Sequence, residues 1–292
     1  MTVSIPAKTE VLIEALPYIQ QYEGKTFVVK YGGAAMVDEE LRETFAQDVT
    51  LLKKIGISIV IVHGGGKEIT EIANRLGLTT NFINGQRYTD QAMMDVVQMV
   101  LAGKTNKDIV AKINRHDGEA VGVCGIDADV LRVTKAGGVD LGLVGDVARV
   151  NDAFLTLLLR NGFMPVIAPV GVDASGQAYN INADIAASSV AAALRAEKLV
   201  FLSDVQGVTA GGALVQTLGQ TQARSWIAAG IISDGMIPKI QSAFTALAAG
   251  VSKVHMIDGR VKHSLLLEIF TDEGVGTQIV HEPLEQLREV MA

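Results

Sequence analysis

Thr26-Phe27-Val28-Val29-Lys30-Tyr31-Gly32-Gly33 is an apolar strand that runs directly into two glycines, with a lysine near its end. A second stretch of this kind is Ser58-Ile59-Val60-Ile61-Val62-His63-Gly64-Gly65-Gly66. Glycine lets the backbone approach a ligand closely and point successive N–H groups at an anion. A lysine beside such a turn adds a charge suited to phosphate. The two stretches therefore predict a site for a phosphorylated ligand.

Strands and helices alternate along the chain around these two stretches. Apolar residues recur at helical spacing in 38–55 and 67–76, one segment after each strand, and the next helix is expected over 90–115. Further helices are expected at 151–161, 183–194, 221–230 and 236–249, further strands at 164–168, 198–202, 253–257 and 276–280, and a β-rich region at 120–150. This pattern is typical of an α/β fold whose mainly parallel sheet is covered on both faces.

Four of the predicted strand ends carry glycine or polar residues. They are segments 30–33, 63–66, 179–184 and 203–207. Ligands of parallel sheets bind beyond the carboxyl ends of the strands, so we expect these segments to meet at one rim.

Residues 8–22 precede the first strand and carry an apolar stripe at helical spacing. They predict an amphipathic helix, which Pro17 should kink. Packing on its own domain and contact with another subunit explain the stripe equally well.

Composition and charge disfavour several classes of protein. The 292 residues carry a net charge of −7, which argues against nucleic acid or an acidic membrane as the main partner. No apolar run reaches the roughly 20 residues that span a bilayer, and we expect no secretion signal. The single cysteine, Cys124, and the dispersed histidines predict a reducing compartment, the cytoplasm, and no dedicated metal site.

Three familiar motifs are matched only in part. Gly103-Lys104-Thr105 resembles the end of a P-loop, but Gln98 stands where that loop needs a glycine. Gly64-Gly65-Gly66 would need another glycine in place of Ile69 to match a dinucleotide turn. His63 with the three glycines also resembles a lipase oxyanion loop, but no Gly-x-Ser-x-Gly nucleophile elbow accompanies it.

Three basic residues are candidates for binding anions. Lys30 is either a solvated strand-end lysine or a phosphate contact, and the neighbouring glycines favour the second. Lys239 lies in the first turn of a predicted helix, where a cation opposes the dipole, so it is either exposed or held near a ligand phosphate. Arg87 can pair with a carboxylate in bidentate fashion, although one arginine in a loop is a weak signal.

The segment Asn180-Ile181-Asn182-Ala183-Asp184 has two explanations. It is either a plain helix N-terminus with Asn182 as the cap, or a polar rim that faces the substrate. In the second case Asn180 supplies an amide and Asp184 supplies a carboxylate able to hold lysines.

Taken together and in order, these motifs resemble those of the amino acid kinase family, and within it the members that act on N-acetyl-L-glutamate. The resemblance covers nearly the whole chain from about residue 8. It rests on segments 30–33, 63–66, 180–184, 202–207 and 234–239. It implies a three-layer αβα sandwich around a mainly parallel sheet of about eight strands. It also implies an oligomerisation helix in 1–24, a lobe for the amino-acid substrate in 25–195 and a lobe for ATP in 196–292.

The resemblance implies a role for each motif in phosphoryl transfer from ATP, with Mg²⁺ held mainly by phosphates and water. The catalytic residues would be Lys30, Lys239 and Asp184. The residues that bind the amino-acid substrate would be Gly65, Gly66, Arg87, Asn180 and Asn182. The residues that bind ATP would be Gly32, Gly33, Ser203, Asp204, Val205, Gly207, Ile231, Ile232 and Ser233. A carboxylate is already a nucleophile at neutral pH, so we expect direct in-line transfer to the side chain of N-acetyl-L-glutamate, without a phosphoenzyme.

The leading helix resembles that of family members inhibited by L-arginine, in which it interlaces dimers into a hexamer. The expectation is feedback inhibition by L-arginine in a trimer of dimers, and the resemblance also allows a regulatory protein partner. Tyr18, His263, Glu268 and Gly274 are the candidates for the effector pocket. One departure from the family pattern is the turn Gly125-Ile126-Asp127-Ala128-Asp129, which lies away from the expected catalytic residues.

Two alternatives remain open at this point. One is a related kinase acting on another blocked acidic amino acid, of the aminoadipate type. The other is a non-catalytic sensor of arginine or nucleotide, which the presence of both lysines and Asp184 disfavours.

Overall fold

The computed structural model describes residues 5–233, 235–271 and 273–281. Its α-helices are α1 (Ile5–Tyr22), α2 (Glu39–Lys54), α3 (Gly66–Arg75), α4 (Gln91–Gln98), α5 (Asn106–Asn114), α6 (Asp152–Arg160), α7 (Ala183–Ala193), α8 (Gln220–Ala228), α9 (Met236–Ala248) and α10 (Ser264–Ile269). Its strands are β1 (Thr26–Tyr31), β2 (Ser58–His63), β3 (Phe82–Ile83), β4 (Gln86–Arg87), β5 (Ala120–Cys124), β6 (Leu131–Lys135), β7 (Gly145–Val150), β8 (Met164–Ala168), β9 (Val170–Val172), β10 (Ala178–Asn180), β11 (Lys198–Ser203), β12 (Thr209–Ala210), β13 (Ala213–Leu214), β14 (Thr217–Gly219), β15 (Lys253–Asp258) and β16 (Thr277–Val280).

An eight-stranded sheet runs through the structure in the order β14-β16-β15-β11-β1-β2-β8-β5. The two glycine-ended strands, β1 and β2, lie side by side in its middle and pair in parallel. The pair β15–β16 is antiparallel, and the other pairs of this sheet are parallel. The prediction of a mainly parallel sheet is therefore confirmed.

Helices cover both faces of this sheet. Successive residues of β1 point to opposite sides, because side chains alternate along a strand. Val28 packs with residues of α7 and α9 on one side, whereas Phe27 and Val29 pack with residues of α2 and α5 on the other. The arrangement is the three-layer αβα sandwich that was expected.

Residues 90–115, predicted as one helix, form three consecutive segments. A π-helix over Met99–Thr105 separates α4 from α5. Apolar periodicity does not distinguish a π-helix from an α-helix, and single π segments are frequent at functional sites. The hairpin β3–β4 and the strands β9 and β10 of the small sheet β10-β9-β6-β7 were not predicted. Strands of two or three residues are too short to show a periodic pattern.

Helix α1 begins at Ile5, three residues earlier than the predicted start, and contains Pro17. Its last residue, Tyr22, is 5% exposed, whereas Ile13 is 63% exposed and Leu16 is 45% exposed. The C-terminal end of the helix thus packs on its own chain, whereas Ile13 and Leu16, nearer its N-terminus, remain uncovered. Residues 282–292, the end of the predicted ATP lobe, lie outside the described residues.

The turn that departs from the family pattern has an unusual backbone. Ala128 and Asp129 adopt φ values of 49° and 54°, a region that L-residues with a side chain rarely occupy. Asp127 closes this turn by accepting a hydrogen bond from the N–H of Cys124 at 2.7 Å.

Candidate active site

Lys30 lies near the end of β1, and its side chain is 12% exposed. Its ammonium group lies over the glycine turn, since a Cβ at Gly32 would fall 2.5 Å from the Lys30 Nζ atom. Gly32 therefore leaves the space that the lysine occupies. A buried ammonium needs a partner of opposite charge.

Asp184 supplies that partner and binds a second lysine as well. Its Oδ1 lies 3.1 Å from Lys30 Nζ, and its Oδ2 lies 2.7 Å from Lys239 Nζ. Asp184 is in the first turn of α7, where a carboxylate is favoured, and Lys239 is in the first turn of α9, where an ammonium is not. The carboxylate compensates for that unfavourable position. One aspartate thus holds two ammonium groups at the rim of the sheet.

The electrostatics of this cluster depend on all three charges. Burial lowers the pKa of Lys30, and the positive charge of Lys239 lowers it further, while Asp184 acts in the opposite direction. Burial alone would raise the pKa of Asp184, but the two lysines outweigh it and the pKa of Asp184 is lowered. Asp184 is therefore ionised at neutral pH.

The glycine turn after β2 lies beside the turn after β1. The N–H of Gly64 donates to the carbonyl of Tyr31 at 2.8 Å, which joins the two turns. Gly65 adopts a φ of 157°, and a Cβ there would fall 2.4 Å from Leu101 Cδ2 in the π-helix. Gly66 is the first residue of α3, where N–H groups have no partner within the helix.

A cavity of about 200 Å³ opens next to this second turn. Its wall includes the predicted substrate residues Gly65, Gly66, Arg87, Asn180 and Asn182. The remaining lining residues are Gly64, Ile69, Phe82, Gly85, Gln86, Leu101, Val144, Pro169, Ile181 and Ala183. The cavity therefore combines an apolar wall with one cation and the amides of Gln86, Asn180 and Asn182.

Arg87 is the charged group of this cavity. It lies in β4 and is 7% exposed, so the expected loop arginine is in fact a nearly buried strand residue. Its Nη2 donates to the Gly66 carbonyl and to Thr70 Oγ1, both at 2.9 Å, and its guanidinium stacks 4.9 Å from the Phe82 ring centroid. Its Nη1 is buried and has no hydrogen-bond partner among the described residues. That nitrogen is a spare donor for an anionic ligand.

The two asparagines of the cavity have different local roles. Asn180 donates from Nδ2 to Thr89 Oγ1 at 3.2 Å. Asn182 is the N-cap of α7, and its Oδ1 accepts from the N–H groups of Asp184 and Ile185. The helix-cap explanation therefore applies to Asn182, which also lines the cavity.

The loop after β11 approaches the first glycine turn. Asp204 accepts a hydrogen bond from the N–H of Ala34 at 2.5 Å. Gly33 adopts a φ of 70°, and a Cβ there would fall 2.2 Å from Asp204 Oδ1. Ser203 Oγ donates to the Val205 carbonyl at 3.1 Å. The four strand ends that were expected to meet thus do meet at one rim.

Other predicted nucleotide residues differ in exposure. Ile231 is 48% exposed, whereas Ile232 is 3% exposed and packs in the core. The side chain of Ile232 therefore faces the core. Gly207 adopts a φ of 146°, and a Cβ there would fall 2.4 Å from Thr277 Oγ1. Ser233 is exposed, and Asp234 of the same motif lies outside the described residues.

A second cavity, of about 260 Å³, contains three of the four predicted effector residues. Tyr18, Glu268 and Gly274 line it, and His263 does not. His263 instead pairs through Nδ1 with Asp48 Oδ1 at 2.6 Å. Sequence reasoning also missed Lys198, the first residue of β11, and His255, which lies within β15, although both line the cavity wall.

Glu268 is the most tightly held acid of this second cavity. Its Oε1 lies 2.6 Å from His255 Nδ1, and its Oε2 accepts from the N–H groups of Val275 and Gly276. Burial would raise the pKa of Glu268, but these donors lower it overall. Nearby, burial lowers the pKa of Lys198 to about 8, with Lys253 adding to the effect.

In the part of the chain that the structure describes, His, Cys, Asp and Glu side chains do not form a group of three that could hold a metal ion. Nor does a described helix have the length and apolar character needed to cross a bilayer.

The sequence pattern of the amino acid kinase family matches residues 25–258. The chain belongs to the amino acid kinase family. It is a kinase of that family, and relatives named acetylglutamate kinase match most of its length. It is 58% identical over 273 residues to the acetylglutamate kinase of Pelodictyon phaeoclathratiforme, covering 93% of this chain and 90% of that protein. It is 52% identical over 292 residues to the acetylglutamate kinase of Aquifex aeolicus, covering 94% and 98%.

Solved structures agree on the fold. N-acetylglutamate synthase from Neisseria gonorrhoeae, complexed with coenzyme A and N-acetyl-glutamate, matches with a TM-score of 0.86 at 29% identity. The match covers 97% of this chain but 65% of the synthase, less than two thirds of it. Isopentenyl phosphate kinase matches with a TM-score of 0.62 at 18% identity, over 87% of this chain and 100% of that one, and shows the fold alone.

Proposed function

We propose that the chain transfers the γ-phosphoryl group of ATP to the side-chain carboxylate of N-acetyl-L-glutamate, as a step of arginine biosynthesis. The product is N-acetyl-L-glutamyl 5-phosphate, with ADP as the second product. The observation that carries the proposal is the pair of lysines on Asp184, at the rim that also holds the glycine turns and the Arg87 cavity. The relatives named acetylglutamate kinase support the choice of acceptor.

The chemistry of the proposed reaction needs no general base. A side-chain carboxylate has a reference pKa of about 4.3 and is ionised at neutral pH. The barrier comes from bringing two anions together and from charge on the equatorial oxygens of the transferring group. Lys30 and Lys239 would stabilise that charge, and Asp184 would hold both ammonium groups in place. We therefore propose direct in-line transfer.

The residues around Lys30 fit a triphosphate. Gly32 and Gly33 each leave the space that a charged side chain occupies, Lys30 at Gly32 and Asp204 at Gly33, so the two glycines hold charged groups close to the turn. The first N–H groups of α3 add donors at the second turn. Mg²⁺ would accompany ATP, held by phosphates and water, and it neutralises charge on the phosphates when bound. Residues 196–292 would form the ATP lobe, with segments 203–207 and 231–233 at the nucleotide.

The cavity beside Gly65 fits a small blocked amino acid. Its size suits one acidic amino acid with a short acyl group, and its polar groups lie among apolar side chains. Arg87 would pair with the α-carboxylate through its spare Nη1 donor. Asn180 would bind neighbouring polar groups, with Asn182 beside it. Residues 25–195 would therefore form the lobe for the acceptor.

An acceptor panel tests this proposal. Purified protein with MgATP is assayed for ADP release, and hydroxylamine traps acyl phosphate as a hydroxamate. We expect ADP and hydroxamate in equal amounts with N-acetyl-L-glutamate, and much less with N-acetyl-L-aminoadipate or L-glutamate. A preference for N-acetyl-L-aminoadipate would support the alternative kinase. If none of the acceptors led to ADP release, the remaining alternative would be a non-catalytic sensor. Arg87→Met should raise the KM for the acceptor but not for ATP, whereas Arg160→Met is the matched control.

We also propose that L-arginine inhibits the enzyme from the second cavity, where Tyr18, Glu268 and Gly274 meet. A structure of the N. gonorrhoeae synthase complexed with coenzyme A and L-arginine matches with a TM-score of 0.80 at 28% identity and supports this assignment. Its match covers 96% of this chain and 66% of the synthase. We expect sigmoidal inhibition that Tyr18→Ala weakens and Gln20→Ala, at an exposed position of the same helix, does not. Hyperbolic kinetics that millimolar L-arginine does not change would refute the proposed inhibition.

The uncovered apolar side chains of α1 support a proposed hexamer, built as a trimer of dimers. Ile13 and Leu16 are exposed on that helix, which suits contact with another copy. Light scattering of the full chain measures the mass of the assembly directly.

The cytoplasm is the proposed compartment. A regulatory protein partner would bind to the hexamer.

A further inference from the structure

His63 stands between the sheet and the second glycine turn. It is the last residue of β2 and is 0% exposed. Its Nδ1 lies 2.7 Å from the carbonyl oxygen of the next residue, Gly64, and its Nε2 lies 3.2 Å from Asn106 Nδ2. The imidazole therefore connects the start of the turn to α5.

The partners fix which nitrogen of His63 carries the proton. A carbonyl oxygen only accepts, so Nδ1 must donate to Gly64. The amide nitrogen of Asn106 only donates, so Nε2 must be the unprotonated acceptor. A doubly protonated ring would place two donors face to face. Burial lowers the pKa of His63 to about 4, and the charge of Lys107 adds to this effect. The ring is therefore neutral and in one tautomer at neutral pH.

Asn106 is itself held on several sides. Its Nδ2 donates to the Val166 carbonyl at 2.9 Å, and its Oδ1 accepts from Lys107 Nζ at 3.0 Å. A Cβ at Gly122 would fall 1.9 Å from that same Oδ1, so the neighbouring strand leaves room for the amide. Asn106 directly follows the π-helix whose Leu101 packs on Gly65. The π-helix and Asn106 thus support the glycine turn from behind.

We propose that His63, held by Asn106, is a positioning residue for the phosphoryl transfer. It fixes the Gly64 carbonyl inward, so that the N–H groups of Gly65 and Gly66 keep one orientation toward the transferring group and the acceptor. The inference rests on the proposed function, because that function assigns the turn its ligand. It predicts that losing the Nδ1 donor lowers the rate at saturation more than it weakens binding, since preorganised donors act on the transition state.

The tautomer is tested first, in a way that does not depend on catalysis. Histidine is labelled with ¹⁵N in the intact protein, and long-range ¹H–¹⁵N spectra are recorded from pH 5 to pH 8. We expect the His63 signals of an Nδ1–H ring that does not titrate over this range. An Nε2–H tautomer, or titration near pH 6.5, would overturn the hydrogen-bond assignment. This result stands whether or not N-acetyl-L-glutamate is the acceptor.

Kinetics test the positioning role. His63→Leu should lower kcat about tenfold or more, with both KM values within about threefold of wild type. His63→Asn keeps an N–H donor near the Nδ1 position and should recover most of that loss. His116→Leu, at a surface ion pair, is the matched control and should change neither. Equal losses in the leucine and asparagine variants, or a loss confined to KM, would refute the role.

A remote substitution tests the same support and covers the case in which His63→Leu fails to fold. Gly122→Ala places a methyl where Asn106 Oδ1 lies, so it should reduce kcat and alter the His63 ring signals together. Gly137→Ala is the control, because a Cβ there meets no atom within 4 Å. A Gly122→Ala enzyme with wild-type kcat and unchanged ring signals would contradict the proposal.

Discussion

Replacing Asp184 by asparagine removes the charge that joins the two lysines while keeping the size of the side chain. Asp184 Oδ1 lies 3.1 Å from Lys30 Nζ, and Oδ2 lies 2.7 Å from Lys239 Nζ. An amide has one acceptor oxygen instead of two, so one ammonium group loses its partner. The other ammonium group keeps a hydrogen bond to the amide oxygen but no longer faces a negative charge.

The size of the effect follows from those distances and from burial. At an effective dielectric constant of about 20, each ion pair is attractive by about 5–6 kcal/mol before desolvation is subtracted. Desolvation offsets much of this attraction, and breaking such a buried pair costs about 3–5 kcal/mol. Stability should therefore fall by about 3–5 kcal/mol. With the ammonium groups misplaced, kcat should fall about 10²- to 10³-fold, as for the loss of an oxyanion donor.

Two measurements check this prediction. Urea unfolding gives the change in free energy, and steady-state kinetics at temperatures where the variant is folded give kcat and both KM values. Asp152→Asn is the matched control, because Asp152 also lies in the first helical turn behind an asparagine cap but is exposed. A kcat within about threefold of wild type, or a loss seen only in KM, would refute the role given to Asp184.

Three further substitutions test other parts of the account. Burial raises the pKa of Asp48 to about 6 despite its bond to His263, so the free energy of unfolding should fall by about 2 kcal/mol between pH 4 and pH 7. Asp48→Asn should abolish that fall in urea titrations, and an unchanged pH profile would contradict it. Gly33→Ala puts a methyl 2.2 Å from Asp204 Oδ1 at positive φ, so the KM for ATP should rise with little change in the KM for the acceptor. Ile13→Glu should convert a hexamer to dimers by light scattering, whereas an unchanged mass would remove α1 from the interface.

The sheet was predictable from the sequence because its strands are long and apolar. Strands β1 and β2 were recognised by apolar runs of five or six residues, and their parallel pairing followed from the helix between them. The same logic placed the strand ends at one rim, where Lys30 and Asp184 meet. Distances between side chains from distant segments do not follow from periodicity.

The parts that escaped prediction depend on tertiary contacts. The strand that carries Arg87 has two residues, too few to show alternation, so a nearly buried arginine looked like a loop residue. His63 looked like part of a failed lipase motif, and its partner Asn106 is 43 residues away. His263 was an effector candidate from the family resemblance, and the structure pairs it with Asp48 outside the second cavity.

The central claim is that the lysines on Asp184 act on the transferring phosphoryl group, and Lys239→Met tests it most directly. The methionine keeps the length of the side chain and removes the ammonium group. With MgATP and N-acetyl-L-glutamate both saturating, we predict a kcat reduced about 10²- to 10³-fold and a KM for N-acetyl-L-glutamate within about threefold of wild type. A near-wild-type kcat would contradict the account.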